Sequence, residues 1–277
     1  MTHSTASGLI CALVFSGIAI TACGLEPVRL SPDGTGFVME ASGLPFVPWG
    51  FNFVGEHHTV LEEYWAEDWA STEEDFANMK KLGANVVRVH LQLGTYMKSP
   101  TQVRPEELQR LQRLLDLAER NDLYLDLTGL GCYHREHIPE WLDDLPESER
   151  WEVQARFWEA IARVCAGHPA VFCYDLMNEP VIGGPSEDDL PWLGKPLEDF
   201  HFVQKIVKNS DNRDRKAIAQ AWVEKMTQAI RKVDDRSLIT VGVIPWALVW
   251  PNAKPVFYSP EVAEHLDFVS VHFYPES

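Results

Sequence analysis

An Asn-Glu-Pro triplet at residues 178–180 is the clearest candidate for chemistry in this sequence. It directly follows the apolar run at residues 170–177, which predicts a buried strand. Glutamate is rarely buried without a partner, so a carboxylate at the end of such a strand needs a reason. At the C-terminal end of a parallel barrel strand, this position is typical of a catalytic residue. Glu179 is therefore the candidate catalytic carboxylate, with the Asn178 amide beside it.

Apolar and amphipathic segments alternate along the rest of the chain. Strands that are apolar throughout and alternate with amphipathic helices form a parallel sheet covered on both faces. The first strand is not followed by the Gly-rich phosphate loop of an open dinucleotide-binding sheet. We therefore predict an α/β fold, a TIM (β/α)8 barrel that is incomplete here, with about six of its eight strands. The strands are expected at residues 46–53, 84–90, 123–127, 171–177, 237–243 and 268–272, and the main helices at 72–82, 105–121, 151–166 and 213–233.

Three further segments have distinct patterns. Ser31-Pro32-Asp33-Gly34 lies between two apolar stretches and predicts a β-hairpin that caps the bottom of the barrel. Ser71 or Thr72 is the expected N-cap of the helix at 72–82. Residues 181–212 are a long polar connection, rich in Gly and Pro, after the strand that carries Glu179.

The N-terminus predicts export. Residues 8–22 form an apolar run of about 15 residues, too short to span a bilayer and suited to a signal peptide. The run ends in a sequence that resembles a bacterial lipobox, with Cys23 as the lipidated residue. The predicted divisions are a lipoprotein-type signal peptide (1–22), a linker with the hairpin (23–44) and the barrel (45–277). The product would be anchored to a membrane on the periplasmic side or cell surface; plain secretion and a cytoplasmic product are the alternatives.

Composition narrows the partners. A net charge of −17 argues against nucleic acid, because phosphate binding requires basic patches. Ten tryptophans are compatible with a neutral ligand such as a sugar, although simple solubility explains the charge equally well. Cys132 and Cys165 are candidates for a disulfide that the sequence does not decide, and Cys173 is expected to be a buried apolar residue.

The residues at successive strand ends are similar to those of the retaining glycosidases of clan A, most closely glycoside hydrolase family 5, the cellulase and mannanase family. The triplet alone is a weak match, but the order of several strand-end residues makes it specific. The resemblance covers about residues 45–277 and rests on Arg88 after the second strand, His134 after the third, Asn178-Glu179-Pro180 after the fourth, and His272 and Tyr274 after the sixth.

The resemblance implies a role for each of these residues. Glu179 is the expected general acid and then the general base, which requires a raised pKa. Asn178 would hydrogen-bond the sugar 2-hydroxyl, and Arg88 would lie near the nucleophile. His272 and Tyr274 would orient the two carboxylates. The alternatives are a structural ion pair for Arg88, a surface loop position for His134, and buried structural polar groups for His272 and Tyr274.

Aromatic residues near strand ends are candidate sugar contacts. Trp246 is the first choice, with Trp192 and Trp250 as alternatives, whereas Trp49 is expected in the core. Metal binding is the competing chemistry, but the adjacent histidines at 57–58 would point to opposite faces of a strand. We therefore expect no metal and no cofactor.

The second catalytic carboxylate is expected elsewhere. The resemblance implies a nucleophilic Glu after a seventh strand, whereas the sequence stops at Ser277, after the sixth. A fragment or mis-called gene, a second chain that supplies the last strands, and a true truncated product are the alternatives. An open sheet of this kind would make the isolated chain unstable.

Two functions follow. The first is hydrolysis of a β-linked polysaccharide or oligosaccharide, such as β-mannan or β-glucan, by retaining double displacement. The second is a non-catalytic carbohydrate-binding lipoprotein on a degenerate barrel. No obligate protein partner is evident from the sequence.

Overall fold

A computed structural model describes residues 24–54, 61–185, 190–197, 199–245 and 256–274. The predicted signal segment, Cys23 and the candidate sugar contacts Trp246 and Trp250 lie outside these residues, as do the histidines at 57–58. Within the described ranges, no helix is both long and apolar enough to cross a membrane.

The elements alternate as the sequence pattern predicts. In chain order, the strands are β1 (Val28–Leu30), β2 (Phe37–Met39), β3 (Pro45–Phe46), β4 (Gly50–Asn52), β5 (Val86–Gln92), β6 (Met97–Ser99), β7 (Gln102–Val103), β8 (Tyr124–Gly131), β9 (Val171–Asn178), β10 (Pro180–Ile182), β11 (Gln204–Val207), β12 (Leu238–Val243) and β13 (Ser270–Val271). The helices are α1 (Leu61–Glu67), α2 (Trp69–Lys81), α3 (Leu93–Tyr96), α4 (Pro105–Arg120), α5 (Glu140–Asp143), α6 (Glu147–Cys165), α7 (Arg215–Arg231) and α8 (Pro260–Ala263).

A six-stranded sheet positions the candidate site. Its strand order is β4-β5-β8-β9-β12-β13, and every pairing is parallel. Each strand therefore lies beside the one that precedes it in this series, as in a barrel rather than a doubly wound sheet. The curled sheet confirms the prediction of an incomplete TIM barrel. Because all six strands run the same way, their C-terminal ends meet along one edge.

The helices cover the sheet with apolar faces. On α4, Leu111, Leu114, Leu115 and Ala118 are completely buried, as their spacing predicts for one face of a helix. Pro105 occupies the first turn of α4, where its missing N–H costs no hydrogen bond. This packing explains why the central strands carry so few exposed residues.

The start of α2 differs from the prediction. The helix begins at Trp69, and its N-cap is Asp68 rather than Ser71 or Thr72. The Asp68 carboxylate accepts hydrogen bonds from both the backbone N–H and the hydroxyl of Ser71, at 3.2 and 2.6 Å. Asp is as good an N-cap as Ser or Thr, because its carboxylate can accept a hydrogen bond from the backbone N–H three residues later. The cap at Asp68 therefore lets the helix begin before the predicted start at residue 72.

The predicted hairpin is present and closes the N-terminal ends of the strands. Strands β1 and β2 pair antiparallel, and β3 pairs with β2. The ring of Phe37 lies 5.2 Å from that of Phe172 and 5.1 Å from that of Phe268. Phe46 adds an edge contact to Tyr124 at 5.0 Å. These rings, which we call the aromatic plug (Phe37, Phe46, Tyr124, Phe172 and Phe268), seal the bottom of the sheet.

The first predicted strand is divided in two. Residues 45–46 belong to the hairpin sheet, and Gly50–Asn52 pairs with β5 in the barrel sheet. Pro48, which has no N–H for a ladder bond, lies between them. Trp49 is 54% exposed, so the expectation that it is a core residue is wrong. It precedes β4, a short strand at the edge of the sheet that the described residues form.

The long polar connection contains more structure than its composition suggests. Strand β10, at the start of the connection, and strand β11, inside it, form a parallel pair. Trp192 is buried, with the guanidinium of Arg150 4.4 Å from the centre of its ring, which favours a structural role for this tryptophan. The cysteines at 132, 165 and 173 are all buried and unpaired.

Candidate active site

Glu179 and His272 meet at the C-terminal edge of the sheet. The Nδ1 atom of His272 lies 2.8 Å from the Oε1 atom of Glu179, and both side chains are largely buried. Backbone hydrogen bonds fix the two residues from the same strand: Glu179 N–H donates to the Gly242 carbonyl, and His272 N–H donates to the Val243 carbonyl, each at 2.8 Å. The ends of three neighbouring strands thus set the position of one carboxylate.

The backbone of Glu179 is strained. Its φ is +48°, in the left-handed region that non-glycine residues rarely adopt. Such a conformation costs of order 1 kcal/mol and persists only where the surroundings enforce it. Here the hydrogen bond to Gly242 and the contact with His272 supply that enforcement. The strain directs the carboxylate out of the strand and into the cluster at the sheet edge.

Asp175 organises the base of this cluster. It is only 1% exposed, so its charge requires partners. Oδ2 accepts from the Arg88 guanidinium at 2.6 Å and from the Thr128 hydroxyl at 3.0 Å, and Oδ1 accepts from Gly242 N–H at 2.7 Å. With its hydrogen bonds satisfied, Asp175 is a structural counter-charge that holds Arg88 in place.

Asn178 has both ends of its amide engaged. Its Oδ1 accepts from Arg88 at 3.2 Å, and its Nδ2 donates to the Phe202 carbonyl at 2.8 Å. These two partners fix which way the amide points. Arg88 therefore has both the roles considered for it: it forms a structural ion pair with Asp175 and also contacts a candidate substrate-binding side chain.

Gly242 lies under the cluster and has no side chain for a geometric reason. A Cβ atom at this position would be 2.5 Å from Nε2 of His272 and 3.0 Å from Oδ2 of Asp175. Only glycine allows the imidazole to lie this close to β12.

A second pair in the cluster, His90 and Tyr133, was not anticipated from the sequence. The Tyr133 hydroxyl lies 2.6 Å from Nδ1 of His90. Burial and the neighbouring guanidinium of Arg88 lower the pKa of His90 well below its usual value, and burial raises the pKa of Tyr133. The neutral imidazole can therefore accept a hydrogen bond from the phenol. His90 lies two residues after Arg88, on the same face of β5, and that spacing was the signal available in the sequence.

Asp126 lies lower in the sheet, opposite Arg88 in the pairing of β5 with β8. Burial and the neighbouring charge of Asp175 raise the pKa of Asp126 to about 7, against the opposing effect of Arg88. One of its oxygens is buried without a hydrogen-bond partner. Asp126 thus separates the polar cluster above from the aromatic plug below.

The remaining predicted residues are less closely connected to Glu179. His134 is buried and packs on Phe200, with ring centres 4.3 Å apart, and it makes no hydrogen bond to Glu179. Tyr274 is 82% exposed in the described part of the chain. The structure therefore brings together Arg88, Asn178, Glu179 and His272, but not His134 or Tyr274.

Metal ligation was also considered. Among the residues that the structure describes, no group of three or more His, Cys, Asp or Glu side chains is arranged to hold a metal ion. His137, the other histidine near His134, lies near Glu63, with Nδ1 and a carboxylate oxygen 3.7 Å apart.

The sheet and the cluster at its C-terminal edge define a glycosidase-type half-barrel, and the family comparison agrees. The profile of the family Cellulase (glycosyl hydrolase family 5) matches residues 39–277. The chain therefore belongs to glycosyl hydrolase family 5, a family of glycosidases, as the strand-end residues predicted. The comparison with curated proteins gave no match.

Solved structures show the same fold. The exo-β-1,4-mannosidase Op5Man5 from Opitutaceae bacterium strain TAV5 is similar with a TM-score of 0.62 and 22% identity, over 84% of this chain and 39% of that one. The β-1,4-mannanase of the sea hare Aplysia kurodai has a TM-score of 0.62 and 17% identity, over 86% and 73% of the two chains. The endo-1,4-β-mannanase of Eisenia fetida has a TM-score of 0.62 and 14% identity, over 91% and 73%. This chain thus spans less than half of the Opitutaceae enzyme.

Proposed function

We propose that this protein hydrolyses O-glycosidic bonds of a β-linked polysaccharide or oligosaccharide, with Glu179 as its acid/base. Family membership supports the reaction class. The observation that carries the residue assignment is the 2.8 Å contact between Glu179 Oε1 and His272 Nδ1 at the C-terminal edge of the sheet. A strained, largely buried carboxylate held by a histidine is a costly arrangement that stability alone does not require.

The cluster suits a retaining reaction. Glu179 would give its proton to the departing glycosidic oxygen while a second carboxylate attacks the anomeric carbon and forms a glycosyl ester. Glu179 would then take a proton from water, which attacks the same carbon and releases that carboxylate. The Asn178 amide is oriented by Arg88 and Phe202 and would contact the sugar 2-hydroxyl.

Asp175 is not the second carboxylate in this proposal, because three donors already occupy it. The family resemblance implies a nucleophilic Glu after a seventh strand. The activity assays therefore use the longest protein that the gene encodes. The names of the similar structures make β-1,4-mannan the first substrate to test, and the family description, Cellulase, makes β-1,4-glucan the second. Export with a lipid on Cys23 stays a prediction.

The test replaces one oxygen. Glu179→Gln keeps the shape of the side chain and its hydrogen-bonding reach but removes its acid/base function. We expect turnover of β-1,4-mannan oligosaccharides to fall by about 10²–10⁴-fold, the usual contribution of general acid–base catalysis. Oligosaccharide binding, measured by calorimetry, should persist. Product release is followed by chromatography.

Glu149→Gln is the matched control, because Glu149 lies exposed in the first turn of α6. It should hydrolyse the substrate like the unmodified protein. Equal activity of the Glu179→Gln and unmodified proteins would exclude Glu179 as the acid/base. Binding of oligosaccharides without any hydrolysis by the unmodified protein would favour the carbohydrate-binding function instead.

A further inference from the structure

The segment at residues 200–204 is attached to the candidate active site and the end of β8 by three hydrogen bonds. His201 N–H donates to the Tyr133 carbonyl at 2.8 Å, and the Asn178 amide donates to the Phe202 carbonyl at 2.8 Å. Nearby, the amide of Gln204 donates to the Leu130 carbonyl at 3.0 Å, and Gln204 is buried. These contacts attach a segment of the long connection to the ends of both β8 and β9.

The side chains of this segment form an aromatic stack with residues that follow β8. The stack consists of His134, Phe200, Phe202 and Tyr133. The rings of Phe200 and Phe202 are parallel within 6°, with centres 5.3 Å apart, and His134 supports Phe200 from behind. The ring of Phe202 also lies 6.0 Å from that of Tyr133, whose hydroxyl contacts His90. The stack therefore runs from the loop to the polar cluster.

Phe202 is the most exposed ring of this stack, although it contacts both Phe200 and Tyr133. It is 39% exposed, although one face of its ring packs on Phe200. A single exposed apolar residue is common and needs no explanation, and Leu197 in the same connection is 70% exposed. Phe202 differs from Leu197 in its partner: the Phe202 carbonyl accepts the hydrogen bond that orients Asn178, whereas the backbone of Leu197 pairs with Phe200 in the same connection. A flat, immobilised ring beside oriented polar groups is typical of a ligand site.

We propose that the exposed ring of Phe202 is a stacking surface for one sugar unit of a β-linked oligosaccharide bound in the same cleft as Asn178. The inference rests on the proposed function, and it names a contact for the substrate class of that site. The C–H face of a β-linked hexopyranose is apolar and matches an aromatic ring, whereas its hydroxyl groups can hydrogen-bond polar side chains such as Asn178 and Arg88. His134 then acts as a positioning residue, because it holds Phe200 and, through it, Phe202.

Calorimetry with β-1,4-mannotetraose and cellotetraose tests this proposal. Binding is measured in the full chain with Glu179→Gln, which prevents turnover. Adding Phe202→Ala should weaken binding of at least one of the two tetrasaccharides by about tenfold or more, the loss expected for a buried aromatic contact. Phe202→Leu keeps much of the apolar volume but not the flat ring, and it should also weaken binding clearly.

Leu197→Ala is the control from the same connection and should bind as the parent does. Thermal unfolding of each variant shows whether a loss of affinity reflects loss of structure. Unchanged affinity in Phe202→Ala would overturn the proposal, and so would full affinity in Phe202→Leu, since shape rather than stacking would then suffice. Failure of the parent to bind either tetrasaccharide would overturn it as well. The proposed function is tested separately: if the protein with Glu179 intact does not hydrolyse the oligosaccharides, the proposed function is wrong.

Discussion

The two ends of the parallel strands are built from different kinds of residues. Strand β9 begins in the aromatic plug, where Phe172 packs on Phe37 and Phe268; its C-terminal half carries Asp175 and Asn178, and Glu179 follows directly. At the N-terminal end, rings pack against rings, and the polar atom of the Tyr124 side chain, its hydroxyl, donates to the Glu26 carbonyl at 2.7 Å. At the C-terminal end, hydrogen bonds hold charges that would otherwise be costly to bury.

The contrast shows where the chain gains free energy and where it gives some up. Burial of large apolar rings stabilises the folded state, whereas a left-handed Glu179 and a buried Asp126 with an unpartnered oxygen destabilise it. A sheet that is well packed at one end can support strain at the other. Removing a ring at the N-terminal end should therefore lower stability and leave activity unchanged. Relieving strain or burial of charge at the C-terminal end should raise stability, and loss of the Glu179 carboxylate there should abolish activity.

The largest effect is expected in the aromatic plug. Phe172→Ala removes a ring that is 4% exposed and should lower the free energy of unfolding by about 3–5 kcal/mol. Urea titration measures this loss. Turnover per folded molecule should be unchanged below the unfolding transition, because the ring contacts of Phe172 are with Phe37, Phe46 and Phe268 in the aromatic plug. Phe273→Ala is the control: this ring is 70% exposed, and its removal should change stability by no more than about 0.5 kcal/mol.

A result that linked the two ends would contradict this separation. Such a result would be a fall in turnover of folded Phe172→Ala as large as that of a variant in the polar cluster. The strands would then transmit the packing defect to the site.

The second effect is a pH dependence at Asp126, between the two ends. Its pKa is raised to about 7 in the folded state, mainly by burial, and lies near 4 in an unfolded chain. Between about pH 4 and about pH 7 the folded state binds more protons, so the contribution of Asp126 to stability falls as pH rises. Asp126→Asn cannot ionise and should be more stable than the parent at about pH 8, by at most about 4 kcal/mol.

This limit already includes the attraction to Arg88, 3.8 Å away, because that attraction opposes the rise in the pKa of Asp126. At about pH 4 the two proteins should be nearly equal, since Asp126 is then protonated in the folded state. Urea unfolding at both pH values provides the comparison. Glu62, whose pKa burial raises to about 8, is common to both proteins and cancels. A variant that is less stable than the parent at about pH 8 would show that the Arg88 attraction outweighs burial.

The smallest effect concerns the strain at Glu179. Glu179→Ala and Glu179→Gly both remove the carboxylate and its contact with His272, but only glycine adopts a φ of +48° without steric cost. We expect the glycine variant to be more stable than the alanine variant by about 0.5–1 kcal/mol in the free energy of unfolding. The measurement is the difference between the thermal unfolding midpoints of the two variants in the same buffer. Both should be inactive. Equal stabilities would mean that the surroundings relax and that little strain is stored.

The sequence was informative where local chemistry decides the structure. The Pro-Asp-Gly turn predicted the hairpin, the alternation of apolar strands and amphipathic helices predicted the half-barrel, and the Asn-Glu-Pro triplet predicted a carboxylate at a strand end. Arg88, Asn178, Glu179 and His272 come together because parallel strands place their C-terminal ends along one edge. Their roles remain predictions.

The sequence was uninformative where distant segments meet. Trp49 looked like a core residue because it is apolar, but its exposure depends on what lies beside β4 at the sheet edge. The contact between His90 and Tyr133 joins β5 to the loop after β8, and no pattern within one segment reveals it. Phe202 belongs to a connection without periodicity, and only tertiary hydrogen bonds show that it is fixed next to Asn178.

The bare backbone at Gly242 limits how this site can be redesigned. Its N–H donates to the Asp175 carboxylate, and its carbonyl accepts from the Glu179 N–H. The space that a side chain would fill is occupied by the His272 imidazole. Even alanine would meet the imidazole, so no small step in side-chain size is available there. An engineer who selects variants from a random library should find position 242 fixed, while neighbouring positions tolerate gradual change. New specificity is then easier to obtain from the connection that carries Phe202 than from the strand beneath the acid.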